Sequence, residues 1–153
     1  DFPKEIENIL TKLDFDPSGL CIEITEGTVI HNPEQVIQNI KKLHRLGVQL
    51  SVDDFGTGYS SLSYWSKFPV NELKIDKSFI DPLPGRKENV SIVQAIIAVG
   101  KSLGFSVVSE GVETEKQVEI LGELGCDEIQ GFFFSKPLPP DLLVEYLTRS
   151  TGA

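Results

Sequence analysis

Two hydrophobic periods alternate along this chain. Short apolar runs at residues 20–25, 49–53, 72–75, 106–109 and 128–130 read as strands, the last being the shortest. Between them, apolar residues recur at helical spacing. Asn32 is placed as an N-cap with Pro33 at the first helical position; Val36, Ile37, Ile40, Leu43 and Leu46 then share one face, and Gly47 ends the helix. A helix over 88–103 carries Ile92, Val93, Ile96, Ile97 and Val99 and stops at Gly104. Thr114 and Gln117 form a capping box that opens a helix running to Leu124 and ended by Gly125. Ile6, Ile9, Leu10 and Leu13 predict a helix before the first strand, and Leu142, Leu143, Tyr146 and Leu147 one after the last.

Strand alternating with helix predicts an α/β fold built on a parallel sheet with right-handed crossovers. An open doubly wound sheet suits a chain of 153 residues. A (β/α)₈ barrel takes about 250 residues, and this pattern falls roughly three strands short of one. The polar residues favour the barrel, because every predicted strand ends in candidate chemistry. An open sheet gathers such residues near one switch point. The stretch from Asp53 to Glu72 reads as a Gly/Ser loop, a short helix and a turn, and long loops at strand ends are often functional. With no repeat, linker or low-complexity run, residues 1–153 are expected to form one domain.

Charge narrows the function. With 14 Lys+Arg against 23 Asp+Glu, the formal charge is −9, which argues against DNA or broad nucleic-acid binding. A phosphate-ester ligand would then need cations to accept it. No apolar run approaches the roughly 20 residues of a membrane span, and D-F-P-K-E does not read as a leader. Cys21 and Cys126 read as small buried thiols in a reducing compartment.

The candidate chemistry sits at the strand ends. Glu23, within C-I-E-I-T-E, points to one face while Ile22 and Ile24 point to the other; either a metal ion or a salt bridge to a buried Lys or Arg would accommodate it. Asp53 and Asp54 close the second strand and open into F-G-T-G. Adjacent carboxylates repel unless a cation neutralises them; the plainer reading has Asp54 capping the turn with Asp53 alone facing inward. Lys74, flanked by Leu73 and Ile75, could polarise a water or phosphate oxygen or serve as a counter-ion for Glu23 or Asp53. Glu110 ends a strand before Gly111, in position for a general base; Glu113 either joins it or favours the Thr114 helix start. Gln130 precedes G-F-F-F and could contact a ligand. His31 and His44 lack partners at metal spacing and are assigned to structure, and no Ser-His-Asp or Cys-His grouping supports a side-chain nucleophile. An acid-rich mouth with one lysine suits metal-assisted hydrolysis of a phosphate ester.

These stretches resemble the later part of the EAL family, bacterial phosphodiesterases that linearise cyclic di-GMP. The matching segments are E-I-T-E from Glu23, D-D-F-G-T-G-Y-S-S-L from Asp53, L-K-I-D-K-S-F-I from Leu73, S-E-G-V-E-T from Ser109 and Q-G-F-F-F-S-K-P-L from Gln130. The resemblance implies a partial (β/α)₈ TIM-type barrel, its last five βα units, with two Mg²⁺ or Mn²⁺ ions at the mouth. It makes Glu23 and Asp53 metal ligands, with Asp53 bridging and Asp54 serving the second ion. Lys74 would orient the attacking water or phosphate, and Glu110 would be the general base or a second-ion ligand. Glu113 and Gln130 would support that site. Glu26 would hold the 54–62 loop, which links active site and dimer interface. The E-A-L tripeptide and the asparagine ligand expected on the next strand have no counterpart here, and roughly the first hundred residues of such a barrel are missing. A truncated domain of impaired activity is therefore expected, or a non-catalytic module that binds cyclic di-GMP or a protein. The resemblance further implies a cytoplasmic chain, alone or within a larger sensor protein, that self-associates through an open sheet edge or the 54–62 loop.

Overall fold

The strands pair in the order in which the chain makes them. In the computed structural model, which describes residues 1–25, 27–28, 33–56, 65 and 68–150, β1 (Cys21–Thr25), β2 (Gln49–Phe55), β3 (Glu72–Ile75), β4 (Ser106–Ser109) and β5 (Glu128–Ile129) form one parallel sheet. The order β1-β2-β3-β4-β5 contains no reversal, so the described strands form no switch point. Adding each strand on the same side makes an arc of barrel wall, not a doubly wound sheet. The helices with described bounds include α1 (Phe2–Leu13), α2 (Pro33–Leu46), α3 (Lys77–Ile80), α4 (Lys87–Ser102), α5 (Glu115–Glu123) and α6 (Pro140–Ser150).

Burial on the helix side holds the arc together. Leu50, Val52, Leu73, Ile75 and Val107 are fully buried from the strands, with Val93 from α4 and Leu121 from α5. Each such side chain contributes about 1.5–3 kcal/mol by leaving water. Gly100 shows how closely α4 sits: a Cβ there would lie 2.6 Å from Val107 Cγ2 and 3.7 Å from Leu73 Cδ1. Leu73 therefore faces the helices, and its neighbour Lys74 faces the other side of the sheet.

The expected elements are present with small shifts. The fourth helix begins at Lys87, and β5 keeps only Glu128 and Ile129. β2 continues past Asp53 to Phe55, with a register shift against β3 between Val52 and Phe55. Trp65 is helical, fully buried and edge-on to Phe68 at 5.5 Å. Asn32, His31 and Glu26 lie outside the described residues, as do 57–62 of the 54–62 loop. The cysteine expectation is corrected in part. Both thiols are free, but Cys21 is exposed and Cys126 only half-buried. Cys21 lies on β1, an edge of the described sheet, on the same face as Glu23.

Candidate active site

Lys74 is the centre of the site. A lysine in a strand between Leu73 and Ile75 must find charge partners or lose its proton. It is 7% exposed. Its Nζ donates to Glu23 Oε1, reaches Glu110 Oε1 at 2.6 Å and lies 4.0 Å from Asp53 Oδ1. The three carboxylates come from β1, from the residue after β4, and from β2. Residues separated by up to 87 positions thus meet because parallel pairing brings every strand's carboxyl end to one rim.

Burial works against the Lys74 charge, but hydrogen bonds to Glu110 and Glu23 outweigh it and raise its pKa above the ordinary lysine value. Lys74 is therefore a fixed cation at neutral pH. It can hold or polarise an oxygen but cannot take a proton. Of the groups that meet at this point, only the carboxylates can accept a proton. Glu110 is held in place from its backbone, its N–H donating to Ile75 O at 3.1 Å.

The second strand's two acids are arranged by a backbone irregularity. Asp54 has φ 54°, a left-handed conformation unusual outside glycine, and coincides with the register shift in β2. Strict alternation would send its side chain to the helix face; the left-handed residue breaks that alternation. Its N–H donates to Asp53 Oδ1 at 3.0 Å. The Asp54 carboxyl is pushed up by burial and by the negative charges of Asp53, Asp76 and Glu23, with Lys74 opposing. Asp54 thus shares the field of the acidic mouth.

The remaining candidates fall nearby but not on Lys74. Glu113 pairs with Lys77 Nζ at 2.5 Å, and Lys77 also reaches Asp81 at 3.8 Å. Gln130 is exposed at the end of β5, on the wall of a cavity of about 470 Å³ shared with Phe132, Phe134 and Tyr146. His44 is exposed on α2. Lys77 went unnoticed in the sequence because its partner lies 36 residues away. Only the turn after β4, which lays Gly111 against its stem, reveals it.

The donors suit a hard divalent cation. All are carboxylate oxygens, and Asp54 is raised first by burial and then by the negative charges around it. Glu23 and Asp53 meet at Lys74, and Asp54 stands beside Asp53. Among the described residues, no three His, Cys, Asp or Glu side chains are disposed to hold one jointly. No helix of the described residues is long and apolar enough to cross a membrane.

A one-way parallel arc with acids from three strand ends converging on a buried lysine defines an α/β barrel-type protein with an acidic mouth. This chain belongs to the EAL domain family, whose profile matches residues 1–137. It is 44% identical over 142 residues to the signaling protein YkoW of Bacillus subtilis, covering 93% of this chain and 18% of YkoW. It is 42% identical over 139 residues to MucR of Pseudomonas aeruginosa, a bifunctional diguanylate cyclase/cyclic di-GMP phosphodiesterase, covering 91% of this chain and 20% of MucR. The solved MucR phosphodiesterase in complex with c-di-GMP superposes with a TM-score of 0.88 at 42% identity, over 92% of this chain and 57% of that one. The Klebsiella pneumoniae BlrP1 calcium/cy-diGMP complex superposes with a TM-score of 0.82 at 33% identity, over 90% and 35%; BlrP1 has also been solved as a manganese/cy-diGMP complex. The chain thus spans about a fifth of the length of these curated relatives.

Proposed function

We propose that this chain supplies the later-strand half of a cyclic di-GMP phosphodiesterase site, which opens one phosphodiester bond to give the linear dinucleotide. The observation that carries the reading is the convergence of Glu23, Asp53 and Glu110 on Lys74. Lys74 holds a phosphate oxygen and offsets the charge that builds on it in the transition state. The Glu110 carboxylate, fixed through one oxygen by Lys74, accepts the proton of the attacking water on the other. Glu113 and Gln130 support this end of the site. Divalent cations of the Mg²⁺ or Mn²⁺ class, held by Glu23, Asp53 and Asp54, would acidify water and shield the phosphate charge.

The E-A-L glutamate and the asparagine ligand are not among these 153 residues. For these residues on their own, the proposal is impaired turnover, with ligands from outside them completing the site. A second reading, a module that binds cyclic di-GMP without hydrolysing it, is favoured by the lack of a joint metal-holding group among the described residues. Self-association is part of the same proposal, since β1 and β5 each have one strand neighbour among the described residues.

The test is incubation with cyclic di-GMP in Mn²⁺ and in Mg²⁺, beside Glu110→Gln. Linear product that the variant does not make supports hydrolysis. Metal-independent binding without product favours the module.

A further inference from the structure

Gln117 does more than cap a helix. Its carbonyl accepts the N–H groups of Glu113 at 2.9 Å and Thr114 at 3.0 Å, while its amide Nε2 donates to Ile80 O at 3.1 Å. The side chain is buried, at 4% exposure. A capping box needs only an acceptor at this position, and glutamate serves as well as glutamine. The Nε2–Ile80 bond is therefore surplus to capping. It joins two elements that no local rule requires to meet.

Those elements carry the central pair of the site. Ile80 ends α3, which follows Lys74 on β3 through the Asp76 cap. Residues 110–114 begin with Glu110. In that turn four N–H groups are held: Glu110 donates to Ile75 O, Val112 to Gln130 O, and Glu113 and Thr114 to the Gln117 carbonyl. One side chain thus holds two of the four and fastens them to the element that continues the Lys74 strand.

We propose that Gln117 is a positioning residue: its amide bridge from the 113–114 backbone to Ile80 O fixes the turn that presents Glu110 to Lys74. The structural consequence stands on the geometry alone; the kinetic one rests on the hydrolytic reading above. A glutamate at this position keeps the helix cap and loses the bridge, because a carboxylate has no proton for the Ile80 carbonyl.

The test compares Gln117→Glu with Thr114→Ala, which removes the hydroxyl cap but leaves the amide bridge. Amide hydrogen exchange is the first readout. Gln117→Glu should speed exchange at the Glu110 N–H by about tenfold while Glu113 stays protected, and Thr114→Ala should leave Glu110 within about twofold. Turnover of cyclic di-GMP in Mn²⁺ is the second, with kcat about tenfold lower in Gln117→Glu and KM within about twofold. Should the buried carboxylate unfold the chain, Gln117→Met, neutral and of similar length, should show the same rise at Glu110. Unchanged Glu110 exchange, or equal effects in the glutamate and Thr114 variants, overturns the proposal. Absence of turnover in the unsubstituted chain counts against the hydrolytic reading only, and exchange then decides the role of Gln117.

Discussion

Lys74 shows how one residue sets the character of a site. Its stem is buried on the face of the sheet opposite Leu73 and Ile75, while its head meets Glu23, half-exposed at 51%, and Asp53 and Glu110 at 21% and 22%. Lys74→Met would keep the stem and leave three acids facing one another. We expect it to destabilise the chain by about 1–3 kcal/mol, below the figure for a fully buried pair because water screens the partners. Turnover should fall by about 10²-fold or more. The pH dependence has a definite sign. A lysine whose pKa is raised on folding contributes its stability in full below the unfolded value, about 10.4. That contribution fades as pH rises through the raised native value. Urea unfolding of both proteins should show a constant gap from about pH 7 to 10 that narrows only above it. A gap that closes nearer neutrality would mean that the charge of Lys74 is not what holds the acids.

At the scale of elements, the turn between β4 and α5 is the most constrained segment near the site. The sequence motif Thr114-x-x-Gln117 predicts its helical side, and both halves of the capping box are present. Gly111 is the other constraint. Its φ is 70°, and a Cβ there would lie 2.4 Å from Lys77 Cγ and 2.6 Å from Cδ. Gly111→Ala therefore meets both backbone strain and the stem of Lys77, which must move away from Glu113. The expected loss is about 1–2 kcal/mol by urea unfolding. Lys77→Ala should relieve most of the steric part, so the double variant should lose less than the sum of the two singles. Additive losses would place Lys77 elsewhere in solution. The strand–helix alternation was readable here because each helix buries one face and each strand ends in turn chemistry. The bulge in β2 was not, because Asp54 adopts a left-handed conformation that no local spacing announces.

For the whole molecule, the arc of strands and the acid excess act together. A formal charge of −9 makes the chain self-repelling, so plain salt should stabilise it slightly by screening. A divalent ion held at the mouth does more, since binding to the folded state alone raises stability by mass action. Saturating Mn²⁺ should raise Tm by about 3 °C or more over NaCl at equal ionic strength, and Asp53→Ala should abolish the difference. Equal shifts in both salts would show general screening and count against Asp53 as a ligand.

The sequence by itself determined the element types, the parallel α/β class and the placing of Glu23 and Lys74 within strands and of Asp53 and Glu110 at or beside strand ends. Periodicity, caps and glycine stops are local, and they are written in neighbouring residues. It also identified the family, because long colinear motifs record the site's side chains in order. What needed the tertiary structure was every statement about partners. That Lys74 reaches Glu23 follows only from β1 and β3 standing on either side of β2. The exposure of Cys21 follows from β1 being an edge of the described sheet, and the second hand of Gln117 from α3 passing beneath the turn. Long-range pairing is fixed by how strands and helices bury their apolar faces together, and no single segment carries that information.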